Sequence, residues 1–206
     1  MDLFLTLLSG LCWIVVYVEC ARIGFKYKTY AMPAFALSLN IGWEALYSYI
    51  DVTEGAGNKV MLSFSVSWLL LDIVIAYTYF RYGKKYWPEK FSRGGFIAWS
   101  ILMFIMSFSV QLLFLREFGA HAGKGYSAFF LNLLMSVLFI DMFIKRKGGD
   151  GQSLVIAVNK WIGSLAPTVL YGLIEYNFFI LVIGGFCAAY DLIYIALLVK
   201  TRSGRA

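Results

Sequence analysis

Two carboxylates stand out for where they sit. Glu44 lies within the apolar run "AMPAFALSLNIGWEALYSY" and Asp191 within "FFILVIGGFCAAYDLIYIALL". Neither run contains a basic residue to pair with its acid. Asn40, Trp43, Glu44 and Tyr47 follow the i, i+3, i+4, i+7 spacing of one helical face, and so do Cys187, Tyr190, Asp191 and Tyr194. Two further ionisable residues fall deep in apolar stretches: Asp72, on a face with Ser65 and Trp68, and Lys160.

These residue types suggest a chemistry. An ionisable group at membrane depth is costly and marks either function or a pair. A carboxyl in dry, apolar surroundings is favoured in its proton-bearing form and can serve as a Brønsted acid. Asn40, one turn before Glu44, can donate to the conjugate base. Aromatic faces stabilise cations by ~2 kcal/mol or more when desolvated. Trp43, Tyr47, Trp68, Tyr190 and Tyr194 are the candidate faces. Glu44 and Asp191, each centred in an aromatic stripe, read as candidate functional acids of a pocket between helices. Asp72 reads as a supporting acid or a member of an ion pair. Lys160 either snorkels to the surface or pairs with Asp72 or Asp191. Asp141 and Lys145 are spaced i,i+4 and read as a pair at the membrane interface, as do Glu19 and Arg22.

The elements that must position these groups are helices. Of 206 residues, 61% are hydrophobic and 15% charged, against about 25% charged in a soluble domain. Apolar stretches near 2–20, 30–50, 60–80, 95–115, 126–144, 153–172 and 178–199 are each long enough to cross a bilayer as a helix. The expected fold is all-α: a single integral membrane bundle over 1–206 with seven transmembrane helices. The first stretch lacks a basic leader and a small-x-small cleavage site, so it is expected to be a span, not a signal peptide.

Net charge is +6, and its placement carries the information. Arg22, Lys26, Lys28, Arg81, Lys84, Lys85, Lys90, Arg93, Lys145, Arg146, Lys147, Lys200, Arg202 and Arg205 all fall on one side of the expected spans. The alternate connections hold only Lys59, Arg116 and Lys124. The positive-inside rule then places the N-terminus outside and the C-terminus in the cytoplasm. The basic clusters read as topology signals for a protein embedded in a lipid bilayer; no nucleic-acid partner is expected.

Cys12, Cys20 and Cys187 fall inside expected helices without metal-site spacing and read as packing residues. His121, the only histidine, falls in an expected loop. There is no D-x-D-D run and no D-D-x-x-D motif. No metal or other cofactor is expected.

The segment "FKYKTYAMPAFALSLNIGWEALYSY" (25–49) resembles the second-helix signature of the integral-membrane terpene cyclases of meroterpenoid biosynthesis. It shares a KTY-like entry, a Met-Pro and an N-x-x-W-E core. "YNFFILVIGGFCAAYDLIYIALL" (176–198) is similar to the last helix of that family. The resemblance implies a cyclase acting on a prenylated, usually farnesylated, small molecule, either on a terminal epoxide or on prenylated indole compounds. It carries the family's two essential acids over to Glu44 and Asp191, and for a protonation-initiated cyclisation it implies Glu44 as general acid and Asp191 as a base or an electrostatic partner. The rival reading is a proton-coupled small-molecule transporter, because buried acids also form proton relays. The halves of the chain show no convincing repeat of the kind many transporters have.

Overall fold

The computed structural model describes residues 2–54 and 59–203; Arg205 lies outside them. The elements in order are α1 (Asp2–Tyr27), α2 (Ala34–Glu54), α3 (Lys59–Tyr82), a 3-10 turn (Gly83–Tyr86), α4 (Arg93–Lys145), α5 (Leu154–Pro167), a π-helical segment (Thr168–Ile174) and α6 (Phe178–Ser203). Among the described residues there are no strands. Five helical stretches are long and apolar enough to cross a membrane: Asp2–Tyr27, Lys59–Tyr86, Arg93–Lys145, Leu154–Ile174 and Phe178–Thr201. The stretch containing α2 falls outside that set; α2 itself carries Asn40, Glu44 and Asp51.

Each helix boundary has a local cause. Pro33 precedes α2, where its missing N–H costs nothing, and its carbonyl accepts from Leu37 N at 2.9 Å. Ser92 caps α4 by accepting from Gly95 N at 3.1 Å. Gly148, at φ 70°, closes the other end of α4, where its N–H reaches Phe143 O at 2.8 Å. Pro167 removes the donor that the Gly163 carbonyl needs within α5. Ser9 of α1 supplies it instead, donating to Gly163 O at 2.7 Å.

The structure differs from the expected element list in two places. Residues 95–115 and 126–144 are not separated by a long loop. Helical conformation continues through 116–125 except at Gly119, whose φ of 73° and ψ of 175° bend α4 into two arms, 93–118 and 120–145. The arms fold back at that point, bringing the Phe114 and Phe130 rings to 5.9 Å. One glycine thus makes the turn, and His121 lies in the second arm instead of a loop. The stretch near 153–172 is also not one α-helix, because it changes at Pro167 into the π-helical segment.

Only glycine adopts the Gly119 conformation readily. A Cβ there would meet nothing within 4 Å, so substitution acts on the backbone alone. Gly119→Ala is expected to destabilise the protein by ~1–3 kcal/mol, read as a lower thermal midpoint in detergent. An unchanged midpoint would show that the bend is not glycine-dependent.

The helices close a ring in the order α1, α5, α6, α4, α2, α3, with α3 returning to α1. Large apolar side chains such as Leu70, Ile73, Leu113 and Phe186 cover the outside. One end is tied by Arg146. Its guanidinium lies between the rings of Tyr30 and Tyr86, at 4.1 and 3.9 Å, and donates to Tyr30 O at 2.8 Å. Asp150 joins the same knot, accepting from Lys85 Nζ at 2.9 Å and Tyr86 OH at 2.8 Å. The Lys85 and Tyr86 contacts hold the Asp150 carboxyl below its usual range, and nearby Arg146 adds to this. A carboxyl lowered by folding contributes stability above its unfolded value, near 4. That contribution is lost as pH falls through the folded value. The thermal midpoint should therefore drop below about pH 4, and Asp150→Asn should flatten that part of the profile. An identical acid limb in the variant would contradict this role.

The local pairings expected from sequence are present: Lys145 Nζ to Asp141 at 2.8 Å and Arg22 Nε to Glu19 at 2.6 Å. The three cysteines are buried and free.

Candidate active site

The ring encloses a cavity of about 860 Å³, within the range of pockets that hold drug-sized ligands. Thr6, Asp51, His121 and Glu175 line it near helix ends that meet on one side of the bundle; Tyr17, Asn40 and Glu44 line it deeper in. The α2 face predicted from spacing lines it throughout. Asn40, Trp43, Glu44 and Tyr47 are all buried and all contribute to the lining, as does Trp68 of α3.

Glu44 is 2% exposed and is held by a chain of hydrogen bonds. Asn40 Nδ2 donates to Tyr17 OH at 2.8 Å, and Tyr17 OH donates to Glu44 Oε1 at 3.0 Å. The second oxygen, Oε2, has no protein partner among the described residues. Asp72 stands beside Glu44 and Asn40, in electrostatic range of both. It is fully buried, outside the cavity lining, and among the described residues neither of its oxygens has a partner in hydrogen-bond geometry. Glu44 is thus a fixed carboxyl, tethered through Oε1 and interacting with a second acid beside it. Among the described residues, no three metal-ligating side chains converge.

The walls around Glu44 are aromatic. Trp43 and Tyr47 lie 5.5 Å apart, Trp13 and Tyr17 5.7 Å, and Tyr17 meets Trp68 edge-on at 6.5 Å. Trp43 is locked by its Nε1, which donates to Lys124 O at 3.0 Å. Lys124 in turn pairs with Asp51 and lies over the Trp43 ring at 5.8 Å. Two further polar atoms, Asn132 Oδ1 and Ser164 Oγ, are buried without partners among the described residues.

The α6 residues are placed elsewhere. Asp191 is buried, but its carboxylate is bound by Lys160 Nζ at 2.8 and 2.9 Å. Tyr194 is buried against Phe139 and donates to Gln152 Oε1 at 2.6 Å. Tyr190, expected to share their face, is 37% exposed. None of Asp191, Lys160, Tyr190 and Tyr194 lines the cavity. Lys160 therefore pairs with Asp191 instead of snorkelling.

Several lining residues were not singled out from sequence: Trp13, Tyr17, Lys124, Asn132 and Ser164. The one available signal was Trp13 and Tyr17 at i,i+4 on the first helix. Their significance depends on α1 packing across from α2, which spacing along one chain does not encode.

A ring of apolar helices thus surrounds a cavity with aromatic walls and a buried, hydrogen-bonded acid. The chain belongs to the Pyr4-like transmembrane terpene cyclases, whose family model matches residues 1–203. With five helical stretches able to cross a bilayer, it is an integral membrane protein. It is 28% identical over 169 residues to the Pyr4-family terpene cyclase mfmH of Annulohypoxylon moriforme, covering 81% of this chain and 68% of that protein. Terpene cyclase macJ of Penicillium terrestre is 25% identical over 171 residues, covering 81% and 64%. Terpene cyclase ascF of Acremonium egyptiacum is 35% identical over 81 residues, covering 39% and 28%. The chain spans about two thirds of the length of the first two relatives. No solved structure matches.

Proposed function

We propose that this protein is a membrane-bound terpene cyclase that folds the prenyl chain of a meroterpenoid precursor. The prenyl chain is farnesyl or epoxyfarnesyl, and cyclisation starts by protonation without a metal. The observation that carries this reading is Glu44: a buried carboxyl, tethered through one oxygen, within an aromatic cavity.

Glu44 gives its proton to a terminal alkene carbon or epoxide oxygen of the substrate. Tyr17 stays hydrogen-bonded to the resulting carboxylate, and Asn40 polarises Tyr17. Internal alkenes then attack the cation in turn. The final cation loses a proton to solvent, and Glu44 regains one from solvent before the next turnover, so substrate and product are isomers. The aromatic faces for the passing cation are Trp13, Tyr17, Trp43, Tyr47 and Trp68, all in the lining. The reading orients the substrate with its reacting end against Glu44 and its polar part near Asp51, His121 and Lys124. Asp72 acts as the supporting acid beside Glu44. Asp191 acts electrostatically and not as a base, because Lys160 engages both of its oxygens.

The two arms of α4 are taken as separate spans, making seven with α2 included. The positive-inside rule supports an N-terminus outside and a C-terminus in the cytoplasm. The cavity then lies toward the outer leaflet.

The test is to incubate detergent-purified protein with a farnesylated aromatic, with and without its terminal epoxide. A cyclised isomer of unchanged mass from either substrate is the expected result. Recovery of both substrates unchanged from folded protein would overturn the proposal.

A further inference from the structure

Lys160 and Asp191 form an ion pair whose side chains are 0% and 1% exposed. Besides both Asp191 oxygens, Lys160 Nζ donates to Ser136 Oγ at 2.6 Å. Ser136 in turn donates to Asn132 O at 3.0 Å. The cluster thus joins α5, α6 and the second arm of α4. It sits just outside the cavity: Lys160 is one turn before Ser164 and Ser136 one turn after Asn132, and both Ser164 and Asn132 are in the lining.

We propose that Asp191 is a positioning residue, the counter-ion of a three-helix clamp that acts on the reaction through Lys160 and not at the substrate. A route from the clamp to Glu44 is visible. Gly163, three residues after Lys160, lies flat against α1. A Cβ there would come within 3.1 Å of Trp13 and 3.2 Å of Cys12. Ser9 bonds the same glycine's carbonyl. Trp13 packs on Tyr17, and Tyr17 holds Glu44. The seat of α5 therefore sets the seat of Tyr17.

The energetics of buried pairs make the inference testable. Removing one member leaves an uncompensated buried charge and is strongly destabilising, whereas removing both charges together is often neutral. The experiment is a cycle of Asp191→Asn, Lys160→Met and the double variant, each read by thermal midpoint and by turnover. Only the turnover arm rests on the cyclase reading. The midpoint arm stands if no substrate is turned over, so failure of the clamp and failure of the function are distinguishable.

Each single variant is expected to lower the midpoint and, by misplacing Tyr17 and Glu44, to cut turnover ~100-fold. The double variant should recover the midpoint and come within ~10-fold of wild-type turnover. A double variant with a wild-type midpoint and the inactivity of Asp191→Asn would overturn the proposal, because that is the behaviour of a reacting carboxylate. Lys160→Met decides the matter should the double variant not fold. A clamp loses turnover and midpoint together in that variant, whereas a reacting Asp191 freed of its partner keeps its turnover, which would equally overturn the proposal.

Discussion

Glu44→Gln is expected to abolish cyclisation, with turnover falling by ~10³-fold or more. A positioned general acid typically contributes 10²–10⁴-fold, and the other acids in the lining, Asp51 and Glu175, lie near the helix ends, Asp51 paired with Lys124. Asp72 is the nearest other acid but does not line the cavity, so it has no route to the substrate. Gln keeps the shape and can still accept from Tyr17 at the position of Oε1. What it lacks is a transferable proton. The thermal midpoint should therefore stay close to wild type while product formation stops. A large fall in both would assign Glu44 a structural role instead.

Tyr17→Phe is the second large effect. It removes the donor to Glu44 Oε1 and the acceptor for Asn40 Nδ2, while the ring contacts with Trp13 and Trp68 remain. A hydrogen bond to a charged group contributes about 1.5–3 kcal/mol. The carboxylate exists only after the proton has left, so that contribution is specific to the reaction. Turnover should drop ~10–100-fold with KM little changed, since an interaction made only in the transition state affects kcat. A raised KM with normal turnover would place Tyr17 in substrate binding alone.

The part of this site that lies on one helix was legible in the sequence. Asn40, Trp43, Glu44 and Tyr47 share a face because helical spacing dictates it, and that face lines the cavity. The Asp141–Lys145 and Glu19–Arg22 pairs were legible for the same reason. Contacts between helices were not. Tyr17 meets Glu44 across 27 positions, and Lys160 meets Asp191 across 31. Asp191 matched Glu44 in its surroundings along the chain, yet it is paired with a cation on a neighbouring helix, and among the described residues Glu44 has no such ion pair. The bend in α4 was hidden by composition: "REFGAHAGKG" reads as a loop, while the chain needs only Gly119 to turn. The π-helical segment was hidden likewise, since Pro167 signals a break but not the form it takes.

The measurement that tests the central claim most directly uses wild type and Glu44→Gln, matched for thermal midpoint, given the same farnesylated substrates in D2O. Wild type is expected to yield a cyclised isomer. It should carry one non-exchangeable deuterium when a terminal alkene is protonated, and none from the acid when the proton lands on an epoxide oxygen. Glu44→Gln is expected to return the substrate unchanged. Cyclised product from Glu44→Gln at the wild-type rate would contradict the account.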